Sequence, residues 1–208
     1  MLRRWRHSSR IGAARLAAIG AIVCLAAAGI GAGIASAEPV FRYDVVKGSS
    51  TIEKLDATLA LGPGKLVVDL EGATGRFTAD MQLPPASGSF KIFGLFPTTA
   101  TVTMIQQGPI VGTITDGVVE ADANVAIKLS DVHAVGFPLF VGNNCRTERP
   151  AEIHLKSAPG FNPIEGGDLL GTYTIPDFSG CGSSTPVLNC LIPGPSNTIS
   201  LTLAIRWD

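Results

Sequence analysis

The sequence predicts an all-β fold: an antiparallel β-sandwich or barrel of about ten strands, preceded by a signal-peptide helix. Apolar and polar residues alternate with a period of two along most of the chain after residue 37. Glycine and proline are frequent, 24 and 14 among 208 residues, and many fall between the alternating segments. Lysine and glutamate never run together at helical spacing, so we predict no helix beyond the signal peptide, with residues 50–59 the ambiguous stretch.

The first 37 residues have the three parts of a cleavable secretory signal peptide. Five arginines and no acidic residue occupy the first 15 positions, and a charge-free apolar run follows over 16–34. Ala35-Ser36-Ala37 then supplies the small side chains that a signal peptidase requires. An uncleaved anchor is the alternative, since the run is long enough to span a bilayer, but it is rich in alanine and glycine. We therefore expect export by the general secretory route, cleavage near Ala37, and a single all-β domain over 38–208 in the cell envelope or outside the cell.

Removal of the signal peptide makes the remaining domain acidic. All 17 acidic residues lie after residue 37, together with eleven of the 16 basic ones, which gives a net charge of −6. An acidic protein repels phosphate and releases no counterions from it, so we expect no nucleic-acid partner. The 171 residues that remain are enough for one domain with a sizeable core.

Several segments show the alternation clearly, and the strand at the C-terminus shows it best. Strands with one polar and one apolar face are usually antiparallel. Asp116-Gly117 lies between two β-prone segments and predicts a two-residue hairpin turn. The apolar faces are Phe41, Tyr43 and Val45; Leu66, Val68 and Leu70; Phe77, Ala79, Met81 and Leu83; Ala100, Val102 and Met104; Ala121, Ala123, Val125, Ile127 and Leu129; Ile153 and Leu155; and Ile199, Leu201, Leu203, Ile205 and Trp207.

Three cysteines remain when Cys24 leaves with the signal peptide: Cys145, Cys181 and Cys190. An oxidising compartment favours one disulfide and leaves one thiol over. The chain-entropy treatment gives about 4 kcal/mol for a bridge from Cys145 to Cys181 and about 3 kcal/mol for one from Cys181 to Cys190. This difference is too small to select a pairing, so the spacing leaves the connectivity open.

Catalytic motifs are missing from the sequence after residue 37. His133 and His154 are its two histidines; His154 occupies a polar strand position, and His133 follows Asp131 closely enough to pair with it. No nucleophile elbow, zinc-protease motif or glycine-rich phosphate loop accompanies them. We therefore predict no catalytic residue and no cofactor.

Two groups of residues were weighed as metal sites. Asp116, Glu120 and Asp122 cluster along a hairpin, but a regular strand does not provide the loop of oxygen ligands that calcium requires, and a solvated acidic face is the better interpretation. The three cysteines with a histidine could bind zinc, but export favours a disulfide instead. We predict no metal site.

Two connections between predicted strands are unusually apolar, residues 93–97 (FGLFP) and 136–140 (GFPLF). Connections are usually polar, so bulky groups in them need an explanation. Phe93, Phe96, Phe137 and Phe140 are candidate contacts for a lipid or another apolar ligand. The interpretation that we favour at this point is structural: both connections fold inward and plug the end of the core.

Four segments carry a resemblance to known proteins: residues 84–90 (PPASGSF), 145–150 (CRTERP), 171–182 (GTYTIPDFSGCG) and 193–199 (PGPSNTI). Together they resemble a group of small exported all-β proteins of actinobacteria, of unassigned function. The resemblance covers most of the chain after the signal peptide and implies no catalytic residue. It does imply that Cys145 pairs with Cys181, which leaves Cys190 as a buried or free thiol.

The function expected from these observations is binding. We expect an exported, non-enzymatic protein that binds an apolar envelope molecule, such as a lipid, or a partner protein. One alternative is a membrane-associated or pore-forming β protein, whose strands would alternate in the same way. Another is a hydrolase whose catalytic triad is assembled from distant positions.

Overall fold

The computed structural model describes residues 38–207, and for them the predicted all-β fold is confirmed. Every pairing between the described strands is antiparallel. The predicted signal peptide lies outside the described residues. Fourteen strands occur within 38–207, because the fold adds very short ones, such as Phe137–Pro138, that show no alternation in the sequence.

The elements follow one another along the chain with short connections. The strands are β1 (Val40–Ile52), β2 (Ala57–Leu61), β3 (Gly64–Glu71), β4 (Arg76–Gln82), β5 (Ala86–Ile92), β6 (Phe96–Gln106), β7 (Ile110–Thr115), β8 (Val118–Ala134), β9 (Phe137–Pro138), β10 (Arg146–Thr147), β11 (Ala151–Ser157), β12 (Gly166–Ile175), β13 (Phe178–Ser179) and β14 (Gly194–Ile205). Short 3-10 helices cover Glu53–Leu55 and Gly182–Ser184, and the α-helix α1 covers Thr185–Leu191.

Eight of these strands form a closed ring. Their order is β11, β12, β14, β1, β3, β4, β7 and β8, and β8 pairs again with β11. Closure satisfies the backbone hydrogen bonds of the two strands that would otherwise be edges. The side chains that point into the ring include Tyr43, Leu66, Phe77, Leu155 and Leu203, all of them buried.

The remaining strands extend this ring at one end. The second half of β8 leaves β11 and pairs with β6, which pairs in turn with β5, while β2 pairs with the second half of β1. Side chains from these strands enclose a second part of the core. Leu59, Ala100, Ile127, Leu129 and Val132 belong to it.

Strand β8 runs through both parts of the molecule. Its 17 residues give a contour of roughly 55 Å. It begins after the Asp116-Gly117 turn and ends at the Val135-Gly136 turn. An extra residue interrupts its pairing with β6 near Asp131, whose φ of 49° is left-handed. The two ends of β8 therefore lie at two different ends of the described domain.

The residues of the predicted apolar faces are buried or half-buried with one exception. In β1, β4, β11 and β14, and in β8 as far as Val125, they alternate with exposed or half-buried residues, as a strand with one dry face requires. In β8 the alternation then stops at Ala126, which was expected on the polar face and is buried. Trp207 was expected on the inner face of the last strand, and that prediction is wrong. Strand β14 ends at Ile205, and the indole of Trp207 lies beyond it, 74% exposed.

The prediction that no helix follows the signal peptide is wrong for residues 185–191. Helix α1 spans seven residues, too few for helical periodicity to show, and Pro186 in its first turn is the main local signal. Leu188 and Leu191 pack it onto the core. The ammonium of Lys54 donates hydrogen bonds of 2.9 Å to the carbonyls of Cys190 and Pro193 and so satisfies groups at the helix C-terminus.

A buried polar network joins β1, β12 and β14. Ser50 Oγ and the hydroxyl of Tyr173 share a hydrogen bond of 2.6 Å. The amide of Asn197 accepts from the Glu53 backbone N–H and donates to the carbonyls of Tyr173 and Gly194, so this buried side chain is fully occupied. Burial raises the pKa of Tyr173 above its ordinary value of 10.0, and the hydrogen bond to Ser50 acts in the opposite direction.

The second tyrosine belongs to the ring. The hydroxyl of Tyr43 donates a hydrogen bond to the carbonyl of Pro163, which lies on the connection before β12. Burial raises the pKa of Tyr43 as well. Each part of the core therefore holds one tyrosine whose neutral form is stabilised.

A disulfide joins Cys145 and Cys181, as the resemblance implies. Both cysteines are fully buried. The bridge ties the segment before β10 to the segment before α1, and it closes a separation of 36 residues. Cys190 lies on α1 as a free, exposed cysteine.

Candidate functional site

Six apolar side chains are exposed on two connections at the β6–β9 end of the molecule. We call this surface the apolar tip, and it consists of Phe93, Leu95, Phe96, Val135, Phe137 and Phe140. Phe93, Phe137 and Phe140 are exposed by 73%, 74% and 83%. The favoured prediction that both connections fold inward is therefore wrong for all four phenylalanines. They are placed where a binding partner can reach them.

The two connections lie side by side. Strand β6 pairs with the end of β8, with Thr98 opposite Ala134. The backbone N–H of Val135 donates a 2.8 Å hydrogen bond to the carbonyl of Pro97. Phe137 then pairs with Ala134 in the short β8–β9 hairpin. The sequence shows that both segments are apolar but gives no sign that they are neighbours.

Both connections turn through two residues with positive φ. Phe93 and Gly94 have φ of 53° and 70°, and the N–H of Leu95 donates to the carbonyl of Ile92 at 3.1 Å. Val135 and Gly136 have φ of 53° and 80°. Positive φ at both central residues is typical of type I′ hairpin turns, which strongly prefer asparagine or aspartate before the glycine.

An apolar residue at the first position of such a turn is costly. The left-handed region disfavours residues other than glycine by about 1–2 kcal/mol, and a β-branched residue there is an outlier. Six described non-glycine residues have positive φ: Asp56, Phe93, Asp116, Asp131, Val135 and Ser196. The two apolar members of this set are both in the apolar tip. Asparagine or aspartate would suit the left-handed position better than phenylalanine or valine does. The geometry of the turn therefore does not explain why Phe93 and Val135 occupy it.

The neighbouring residues anchor the apolar tip to the core. Ile92 and Leu139 are half-buried and pack against the core, and Val132 and Val141 are buried. The N–H of Leu139 donates to the carbonyl of Val132 at 2.8 Å. The exposed rings therefore project from well-supported backbone.

The disulfide positions Phe140 as well. Cys145 follows Phe140 by five residues, and its carbonyl accepts a 2.9 Å hydrogen bond from the N–H of Leu129 in β8. Because Cys145 is bonded to Cys181, the chain beyond Phe140 is fixed at its far end. The connection from β9 to β10 thus has both of its ends held.

Few charged residues lie near the apolar tip along the chain. Residues 91–99 contain Lys91 and no carboxylate, and residues 132–147 contain Arg146 and no carboxylate. Both basic side chains are exposed. Asp131, which is exposed, lies on β8 four residues before Val135, so the carboxylate nearest to this turn along β8 lies outside the turn itself.

The opposite end of β8 has the reverse character. A groove of about 880 Å³ lies across the outer face of the ring, and we call it the acidic groove. Its ionisable lining residues are Glu38, Asp69, Glu71, Glu120 and Asp122, with Arg76, His154 and Lys156. Lys156 Nζ lies 2.7 Å from Glu120 Oε1, and His154 Nδ1 contacts Asp122 Oδ1. The predicted solvent exposure of His154 is confirmed, but sequence reasoning missed its pairing with Asp122, which requires knowing that β8 and β11 are neighbours.

Neither histidine belongs to a catalytic triad in the part of the chain that the structure describes. His133 contacts the backbone oxygen of Asp131 rather than its carboxylate, at 3.0 Å. His154 contacts Asp122, and both side chains are more than 60% exposed. Within 38–207, no hydrogen bond joins either imidazole to a hydroxyl group. The described residues also contain no cluster of three metal-ligating side chains.

The interior has little room for a ligand. One apolar cavity of about 60 Å³ is lined by residues such as Leu59, Phe90, Leu129 and Leu188, and another of about 50 Å³ lies inside the ring. Ligand pockets generally measure about 300–1,000 Å³. An apolar molecule of lipid size does not fit either cavity, so the exposed apolar tip is the stronger candidate for its contact.

The comparisons with known proteins provide no relative. No protein-family model matches the sequence, and no curated protein or solved structure matches the chain. Among residues 38–207, no helix has the length and apolar character to cross a membrane.

Proposed function

We propose that this protein is an exported, non-enzymatic binding module of the cell envelope or the extracellular space, and that the apolar tip is its contact surface. Its ligand is an apolar envelope molecule or a partner protein. The observation that carries the proposal is the exposure of six apolar side chains on two adjacent turns and on the residues that follow them, two of the six at left-handed backbone positions. Folding alone favours neither feature. The proposal of export depends on the signal-peptide pattern of residues 1–37.

Binding at the surface is favoured over binding in the interior. The cavities of about 60 and 50 Å³ hold one or two small groups at most. The apolar tip offers several phenylalanine rings, and each large apolar side chain contributes about 1.5–3 kcal/mol when it leaves water. Two or three rings in contact would be sufficient for measurable affinity.

A pore is disfavoured by the distribution of polarity. The ring is filled by apolar side chains such as Leu66, Phe77 and Leu203. The charged pairs Lys156–Glu120 and His154–Asp122 lie on its outer face. A pore-forming protein needs the opposite arrangement, with an apolar exterior and a polar lumen.

A hydrolase is disfavoured by the surroundings of its candidate bases. A general base acts through a nucleophile or water held within hydrogen-bonding distance, oriented by a third group. His154 has an orienting carboxylate in Asp122, but the pair is exposed on a regular sheet face and no hydroxyl group bonds to it. Double replacement of His133 and His154 would test any activity that is found.

The proposed function can be tested with the protein exported from the full chain by a producing cell. N-terminal sequencing should find Glu38 or a neighbouring residue, and an intact Met1 would argue against export with cleavage. The exported protein is then titrated with a fluorescent single-chain fatty acid kept below its micelle concentration. We expect saturable binding that Phe93→Ser with Phe137→Ser weakens by about tenfold or more, because two rings are removed from the contact.

The matched control is Val111→Ser. Val111 is exposed by 49%, but it lies on β7 at the acidic groove. This variant should bind the fatty acid as the unaltered protein does. Equal loss in both variants, or no binding to the unaltered protein and no protein partner that depends on Phe93 and Phe137, would overturn the proposed function.

A further inference from the structure

We propose that the apolar tip docks on a lipid surface, with Phe93 and Phe137 entering the boundary between headgroups and acyl chains. This inference rests on the proposed function and names the occupant of the same surface. The occupant is a lipid layer rather than a single protein partner. Three separate features of the two turns support it.

The first feature is shape. The apolar tip consists of six side chains on two adjacent turns and the residues that follow them, and its three most prominent rings, Phe93, Phe137 and Phe140, are exposed by 73%, 74% and 83%. A stable protein interface typically uses about 20–30 residues on each side and complementary surfaces. A lipid surface imposes no such requirement, because it deforms around a projecting group. Few, prominent and convex apolar residues fit a fluid surface better than a folded partner.

The second feature is the state of the backbone. In an apolar medium an unpaired N–H group is costly, so a turn that enters lipid needs its donors satisfied. The N–H groups of Leu95 and Val135 donate to the carbonyls of Ile92 and Pro97. The residues that follow Phe96 and Phe137 are prolines, which have no N–H group. The two turns thus expose apolar side chains while their backbone carries few free donors.

The third feature is charge. Phosphate groups line a lipid surface, and carboxylates close to it would be repelled. The segments 91–99 and 132–147 contain no carboxylate; Asp131, which is exposed, lies on β8 four residues before Val135. Lys91 lies two residues before Phe93 with its side chain exposed. A lysine beside inserted rings can extend its ammonium group to the headgroups while its stem remains apolar. The carboxylates of the acidic groove lie at the far end of β8, where they would face away from the lipid.

The inference predicts a defined orientation. The apolar tip faces the lipid, β8 points away from it, and the acidic groove remains in water. Trp207 follows β14 and lies beside the beginning of β1, since the N–H of Arg206 bonds to the carbonyl of Arg42. The beginning of β1 pairs with the end of β3, at Val40 and Asp69, so Trp207 belongs to the end of the acidic groove. It is a natural probe of the end that stays in water.

The first arm of the test measures binding to vesicles by flotation. The exported protein is mixed with vesicles of phosphatidylcholine, which carry no net charge that would repel the acidic domain. We expect it to float with them and Phe93→Ser with Phe137→Ser to reduce the bound fraction by about tenfold or more. Val111→Ser, the control at the other end, should bind as the unaltered protein does. Failure of the unaltered protein to float, or equal binding by the double variant, would overturn the inference.

The second arm measures which end contacts the lipid. Phe137→Trp is combined with Trp207→Phe, so that the exported chain has a single tryptophan at the apolar tip. Its emission should shift to the blue on addition of vesicles and should be quenched by lipids brominated on the acyl chain. The native Trp207 should show neither effect. Quenching of Trp207 in place of the introduced tryptophan would contradict the proposed orientation.

The outcomes separate this inference from the proposed function. Binding of the monomeric fatty acid through Phe93 and Phe137 without vesicle flotation would overturn the lipid-surface inference and leave the binding module standing. If the unaltered protein neither bound the fatty acid nor floated with vesicles, and had no protein partner that depends on Phe93 and Phe137, both the lipid-surface inference and the proposed function would be overturned. A concentration-dependent dimer that Phe93→Ser with Phe137→Ser abolishes, in protein that does not float, would assign the apolar tip to contact between copies of this chain instead.

Discussion

At one end of β8 the chain turns through Asp116-Gly117, and at the other it turns through Val135-Gly136. The first residues of the two turns have φ of 51° and 53°, and both glycines have φ of 80°. The φ angles of the two turns are thus nearly equal, but the first turn places an aspartate at the left-handed position and the second places a valine. Because aspartate tolerates the left-handed region and valine does not, the first turn follows the needs of folding and the second departs from them.

The surroundings of the two turns differ in the same sense. The Asp116 end lies beside the acidic groove with its ion pairs, and the Val135 end adjoins a second strained turn at Phe93. A residue that is unfavourable for its local backbone conformation often belongs to a functional site. This difference between the two turns supports the proposal that the apolar tip is the contact surface.

The largest expected effect concerns the disulfide that holds the apolar tip. Replacing Cys145 and Cys181 together with serine should lower the free energy of unfolding by about 4 kcal/mol, because the bridge closes a loop of 36 residues. Denaturant unfolding measures this, with Cys190→Ser as the control of similar chemistry. Cys190 is exposed, so its replacement should change stability by less than about 0.5 kcal/mol. If Cys190→Ser lowered the free energy of unfolding more than the double variant does, the disulfide would not be a stabilising element of the fold.

The next effect is a loss of stability at alkaline pH. Burial holds the pKa of Tyr173 and of Tyr43 in the folded protein above 10.0, the value expected in the unfolded chain. The stabilisation is therefore complete below pH 10 and is lost as the pH rises towards the folded pKa. We expect the free energy of unfolding to fall by up to about 1.4 kcal/mol per pH unit for each tyrosine in that window.

Urea unfolding at a series of pH values, with absorbance at the phenolate band, measures this dependence. Tyr173→Phe and Tyr43→Phe should each reduce the fall of the free energy of unfolding with rising pH. Tyr173 lies in the part of the core next to the apolar tip, and Tyr43 lies in the ring. An unchanged slope in the variant that lacks both hydroxyl groups would show that other groups cause the loss.

The smallest effect provides the sharpest comparison of the two turns. Val135→Asn should raise the free energy of unfolding by about 1 kcal/mol, because asparagine suits the left-handed position. The reverse change at the other end, Asp116→Val, should lower it by about the same amount. Val135→Asn should also weaken vesicle binding by a few-fold, since it removes an apolar group from the apolar tip. A variant that gains stability and loses binding would show that the valine is retained for contact, whereas a loss of both would show that it is retained for folding.

Much of the fold was predictable because its signals are local. Alternation along β1, β4, β8 and β14 depends on residues two positions apart, and the Asp116-Gly117 hairpin is encoded in adjacent residues. The wrong predictions concern features that only distant residues decide. Helix α1 depends on packing of Leu188 and on hydrogen bonds from Lys54, and the exposure of Trp207 depends on where β14 loses its partners.

The candidate site was found only in part. The four phenylalanines were identified from the sequence because bulky residues are unusual in connections, but their orientation was assigned wrongly. An exposed ring and one that plugs a core have the same sequence signature. Their exposure depends on the backbone, because the strained turns at Phe93 and Val135 direct the chain outward while Ile92 and Leu139 fill the space beneath.

The sequence alone determined that residues 38–208 are acidic and alternate as antiparallel strands do, since composition and periodicity are properties of the chain itself. The export signal that it indicates stays a prediction. Tertiary structure decided that eight strands close into a ring, that Cys145 meets Cys181, and that two distant apolar segments become one surface. The physical reason is that strand neighbours are selected by the free energy of the whole sheet. No local pattern records which strand will lie beside another, and Val135 meets Pro97 only because β6 and β8 pair.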